Sequence, residues 1–140
     1  MRGILLAILL ATAACGHEKP KPVEIDAGEM CASCKMAISQ KKYAAEFIDK
    51  DGAAIKFDDI GCMIRFIKEH GVKINVEAYF VVDYTTHSWL DARSATYVRS
   101  SALPSPMGSG LAAFKDRPEA EAFAVKYRGR LLGFDDLWGM

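Results

Sequence analysis

Four sulfur side chains fall within seven residues in the run Met30-Cys31-Ala-Ser-Cys34-Lys-Met36. Two cysteines separated by two residues can converge their sulfurs on one point, and several chemistries use that spacing. Structural zinc needs four ligands, usually two such pairs or a pair plus histidines. Only one pair is present, so a zinc site would have to recruit Cys62 and either His70 or His87. A redox dithiol normally sits between a strand and a helix start, where the helix dipole lowers a thiol pKa. Strand-like sequence follows this pair instead. A plain structural disulfide explains the cysteines and leaves the methionines unexplained. Monovalent copper explains both, because soft thiolates and thioethers select Cu(I). A thioether carries no proton and forms no disulfide, so methionine remains a ligand in an oxidising compartment. On an extended segment, Cys34 and Met36 would share a face at period two.

Two further sulfurs bear on that reading. Met107, in Leu-Pro-Ser-Pro-Met-Gly-Ser-Gly, sits on a loop between prolines and glycines and belongs to no apolar stripe. Met63 does belong to one, with Ile60, Ile64 and Ile67, and reads as a core side chain. Cys62 reads as packing near a helix start. The Asp-Asp pairs at 58–59 and 135–136 read as caps or turn residues after a strand, and Trp89 and Trp138 as core or seam.

The chain that holds these residues has 140 positions, with 18 basic and 18 acidic side chains. That balance argues against nucleic acid as a partner, which calls for a basic excess or a dense basic face. The length fits one compact domain. Residues 1–14 form a positive start, a short apolar run and small residues ending before Cys15, which is the pattern of a secretory signal peptide. The run into Cys15 resembles a bacterial lipobox, in which the cysteine becomes the lipidated N-terminus. Gly16 after it favours the outer membrane, by resemblance to lipoprotein sorting. Residues 15–27, polar with two prolines, read as the lipidated cysteine and its tether.

The domain is then residues 28–140, with α+β composition and approximate halves at 28–75 and 76–140. Strand-like sequence runs over 36–47 and 52–57, joined by the turn Asp49-Lys-Asp-Gly52 as a hairpin. Asp58 or Asp59 caps a helix that Gly71 ends. Val76–Tyr84 and Thr96–Arg99 read as strands around a turn at Trp89-Leu-Asp-Ala-Arg93. Asp116-Arg-Pro118 opens a second helix ending at Gly129, and residues 130–134 close as a strand. Phe57-Asp-Asp-Ile60 recurs as Phe134-Asp-Asp-Leu137, each copy with a methionine-bearing loop upstream. Two related α+β units would bring those loops toward a shared cleft.

Taken together, Cys31-x-x-Cys34-x-Met36, Phe57-Asp-Asp-Ile-Gly-Cys-Met63, Trp89-Leu-Asp-Ala92 and Ser105-Pro-Met-Gly-Ser-Gly110 resemble the NosL family of bacterial lipoproteins, in order and over nearly the whole mature domain. The resemblance implies a fold of two packed α+β units, similar to that of the organomercurial lyase MerB. It implies a periplasmic, lipid-anchored Cu(I) carrier for nitrous oxide reductase, handing copper toward the copper-sulfur cluster in cooperation with the NosDFY transporter complex. No catalysis follows, since shared fold alone is weak evidence of activity. Carried over by position, Cys34 and Met36 match the principal copper ligands, with Met107 as the inferred third. Cys31 and Met30 rank next. Two alternatives stand beside this reading: a thiol-disulfide protein using Cys31 and Cys34, and a zinc-stapled binding domain.

Overall fold

The structure is a computed structural model that describes residues 18–71 and 74–140. The signal peptide and Cys15 lie outside the described residues.

The first unit is built on an antiparallel sheet of β1 (Ala45–Asp49), β2 (Ala54–Phe57), β3 (Val76–Val82) and β4 (Trp89–Asp91), in the order β2-β1-β3-β4. The hairpin expected at Asp49–Gly52 is present. Asp49 Oδ1 accepts hydrogen bonds from the Asp51 and Ala53 amides at 3.0 and 2.9 Å, and Gly52 takes φ 83°, which a side chain would resist. Alternation then sorts the faces. Phe47 and Phe57 turn toward Phe66 of the helix α1 (Ile60–His70), while Glu46 and Lys56, directly opposite each other, point the other way.

The second unit has β5 (Thr96–Arg99), β6 (Leu111–Phe114) and β7 (Arg130–Leu132) in the order β6-β5-β7, covered by α2 (Arg117–Tyr127). An α+β fold of two packed units is therefore what the residues make. The boundary is displaced from the expected 75/76, because β3 pairs with β1 along its length and β4 follows β3. The sheets divide between Asp91 and Thr96. The units meet where Asp83 bridges Ala113 and the Tyr84 amide donates to the Ala113 carbonyl at 2.8 Å. Trp138 and Phe134 reach back from the C-terminus onto Tyr79 of β3.

Three local expectations are corrected. Trp89–Asp91 is the edge strand β4 rather than a turn, and the turn falls after it. Residues 36–47 hold only the beginning of β1, preceded by a 3-10 turn at Lys41–Tyr43. The tether is shorter than residues 15–27. Ile25 is buried in the first core, the Val23 amide donates to Glu46 Oε1 at 2.7 Å, and Lys41 donates to the Ile25 carbonyl at 2.6 Å. Lys56 donates to the Glu24 carbonyl and pairs with Glu29. A strap from residue 23 onward thus lies on the sheet face away from α1, where β1 and β2 offer it a carboxylate and an ammonium.

Candidate metal centre

The sulfur-rich run forms a closed loop. Met30 bridges Ala37, the Cys31 amide donates to the Met36 carbonyl at 2.8 Å, and the Lys35 amide donates to the Cys31 carbonyl at 3.0 Å. The Ala32 amide donates to the Lys56 carbonyl at 2.9 Å, pinning the loop to β2. Lys35 takes φ 62°, a left-handed conformation that reverses the chain between Cys34 and Met36. The extended geometry expected for those two residues is therefore absent. Cys34 is half-buried in the turn, and Met36 is 56 % exposed beyond it. Met30, at 55 %, is equally open.

The loop sets Cys31 and Cys34 against the junction of β2 and α1. Asp59 caps α1: its Oδ1 accepts from the Gly61 amide at 2.7 Å. Asp58 is left without a capping duty and turns to the sulfurs, with both carboxylate oxygens 3.5 Å from Cys34 Sγ. Cys62 lies in the first turn of α1 and is fully buried, as is Cys31. The result is one cluster: the ligand atoms of Cys31, Cys34, Cys62 and Asp58 all lie within 4.8 Å of one another. All three thiols are free.

Of these four donors Asp58 stands outside every ligand set that the sequence suggests, whereas Cys62 belongs to the zinc alternative and not to the copper set. Cys62, which the sequence offers as a packed residue or as a third zinc ligand, is packed and also turns its sulfur to the pair across the helix start. Asp58 was read as a cap or turn residue. The available signal is that a helix needs one N-cap, which leaves the neighbouring aspartate over. Neither His70 nor His87 belongs to the cluster, and His70 instead stacks on Phe66 and points its Nδ1 to the Phe66 carbonyl.

Met107 arrives from the second unit. Its amide donates to Asp59 Oδ2 at 3.1 Å, so the capping carboxylate holds both the helix and the loop. Gly61 permits the approach, since a Cβ there would stand 2.5 Å from Ser109 Cβ. The loop that carries Met107 is thus fixed one residue from Asp58, with Met107 half-buried.

Electrostatics favour the protonated form of the Cys34 and Cys62 thiols. Burial pushes the Cys34 thiol up, countered by the Met36 backbone N–H facing its sulfur, and Cys31 and Asp58 add to the rise. Burial raises the Cys62 thiol strongly, with Cys31 and Asp58 reinforcing it. A soft cation entering here replaces protons and supplies the positive charge that three sulfurs and a carboxylate lack.

The NosL family model matches residues 22–139. The chain belongs to the NosL family. It is 28% identical over 151 aligned positions to the copper-binding lipoprotein NosL of Stutzerimonas stutzeri, covering 96% of this chain and 79% of that one. Its fold is that of the crystal structure of the copper chaperone NosL from Shewanella denitrificans, with a TM-score of 0.72 at 24% identity, over 83% of this chain and 94% of that one. Within the NosL fold the sulfur loop, the helix start and the Met107 loop converge at one end of the first sheet.

Proposed function

We propose that this protein is a lipid-anchored Cu(I) metallochaperone of the bacterial periplasm, attached through Cys15 to the outer membrane. Its cargo goes to the copper-sulfur cluster of nitrous oxide reductase, with the enzyme or the NosDFY transporter complex as acceptor. It is a carrier and not a catalyst. One observation carries the reading: three free thiols and Asp58 converge, their ligand atoms within 4.8 Å of one another.

The residues divide the task by depth. Met36 and Met30, open to solvent, offer thioethers to an incoming ion without a proton to displace. Cys34, at the rim, binds next, and the proton it gives up has Asp58 as an acceptor at 3.5 Å. Cys31 and Cys62, fully buried, hold the ion from beneath. Cu(I) accepts low coordination numbers, so an acceptor's sulfur can join before one of these leaves, and the ion passes without entering solution. Met107, on the loop held by Asp59, is the further thioether of this reading.

A Cu(I) competition titration of the full chain with a chromophoric chelator tests this. Cys34→Ser should weaken copper binding by more than about 100-fold, beyond what loss of an outer-shell partner costs. The exposed Met36→Ala, which leaves the core intact, should weaken it by a smaller factor. Unchanged affinity in the combined variant would place the copper site elsewhere.

A zinc-holding domain is the second reading, and the donor set itself favours it, since three thiolates and a carboxylate also make a tetrahedral zinc site. Metal analysis after loading with both ions separates the two: retained zinc that Cu(I) does not displace favours the zinc reading.

A further inference from the structure

The second unit carries a pocket of about 480 Å³ between β5, the end of α2 and the Met107 loop, lined by Arg99, Arg128, Arg130, Ser101, Ser109 and Gly129 among others, none of them acidic. We propose that this pocket binds an oxyanion of the phosphate class.

Three features of the residues point there. First, Arg99 and Arg130 are direct cross-strand partners in the β5–β7 pairing. Both side chains are exposed, like charges so placed repel modestly, and an anion between them relieves that repulsion. Among the described residues none of the three guanidinium groups has an ion-pair partner, although the chain has as many acidic as basic side chains. Second, Arg128 occupies the left-handed position after α2, at φ 49° and ψ 39°, where glycine is the ordinary residue. A bulky side chain is held there against its backbone preference, and it lines the pocket. Third, the glycine comes one residue later for a different reason. A Cβ on Gly129 would stand 2.7 Å from Val98 Cγ1 and 2.9 Å from the Arg99 carbonyl oxygen, so the backbone is drawn tight against β5 and brings Arg128 and Arg130 to either side of Arg99.

Guanidinium groups present planar, paired donors that match phosphate oxygens, and the serine hydroxyls at the rim add neutral ones. Three guanidinium groups offer more donors than one planar carboxylate can accept and suit a tetrahedral oxyanion with several acceptor oxygens. That group is either free phosphate or the phosphodiester of a lipid headgroup.

The test is a titration of the full chain in detergent with inorganic phosphate, followed by the amide resonances of Gly108, Ser109 and Gly129. Saturable shifts are expected. The double variant Arg99→Gln/Arg130→Gln should lose at least about tenfold in affinity, as removal of charge-assisted hydrogen bonds implies. Arg128→Gly should bind more weakly while melting at a higher temperature, a combination that a damaged fold does not produce. Competition with short-chain phosphatidylglycerol separates the sources: displacement of phosphate by the lipid assigns the headgroup, and no displacement assigns the free ion. Absence of saturable shifts with either probe, or shifts unaltered in the double variant, overturns the proposal. No copper enters the measurement, so its outcome is independent of the metal centre.

Discussion

The two units carry helices of equal length, 11 residues each, and treat them very differently. α1 buries Ile60, Cys62, Met63 and Ile64 against the first sheet, and its N-terminus is fixed by the Asp59 side chain. α2 fully buries only Ala120 and Ala124, and Asp116, in the corresponding position, makes no side-chain cap. Of the four donors that meet within a few ångströms, Cys62 sits on this fixed helix start, Asp58 just before it, and the sulfur loop packs against both. The groups on the second unit, Met107 and the arginines, stand on loops and strand ends that a looser packing tolerates.

The contrast can be attacked at three points, the largest effect first. Gly61→Ala pushes a methyl group into Ser109 and should cost about 1–3 kcal/mol by overpacking. Gly133→Ala in the second unit meets only Asp136 Oδ2 at 3.6 Å and should stay within about 0.5 kcal/mol. Urea denaturation of both variants measures this, and equal costs would mean that the Met107 loop is not seated on α1. Next, Asp59→Ala should lose about 0.5–2 kcal/mol as a cap, while Asp116→Ala should lose almost nothing. Comparable losses in thermal melts would remove the asymmetry between the helices.

The smallest effect concerns the outer face of the first sheet. Glu46 is wholly buried, its Oε2 has no hydrogen-bond partner, and burial pushes its carboxyl from an ordinary 4.5 up to about 7. The folded state therefore prefers the protonated acid. Its contribution to stability is complete below pH 4.5 and is lost as pH rises through about 7. Glu46→Gln should accordingly be more stable than the parent chain above pH 7 and no more stable below 4.5. A gain that persists at acid pH would show that Glu46 is not the group responsible.

Much of this arrangement was legible in the residues, and what was not has physical causes. The Asp49–Gly52 hairpin and α1 follow from turn chemistry and helical spacing, which act locally. β6 escaped because Leu111-Ala-Ala-Phe114 is buried on both faces and so shows no alternation. Trp89–Asp91 looked like a turn because a three-residue edge strand owes its existence to β3 beside it. The metal centre was half visible. Cys31 and Cys34 announce themselves by spacing, whereas Cys62 and Asp58 join only when the loop folds onto β2. Lys35, the residue whose left-handed backbone parts Cys34 from Met36, carries no sequence mark, since glycine or asparagine would be the usual sign.

The docked strap sets a leash. Were the chain free to residue 27, an anchor at Cys15 would let the domain wander widely. With Val23 already fastened to β1, only residues 16–22 are left to span the gap, at most roughly 25 Å of chain. If Cys15 is the anchor, as proposed, a domain so closely moored would not cross a compartment. On that anchoring, an acceptor of the ion would have to come within a few nanometres of the membrane.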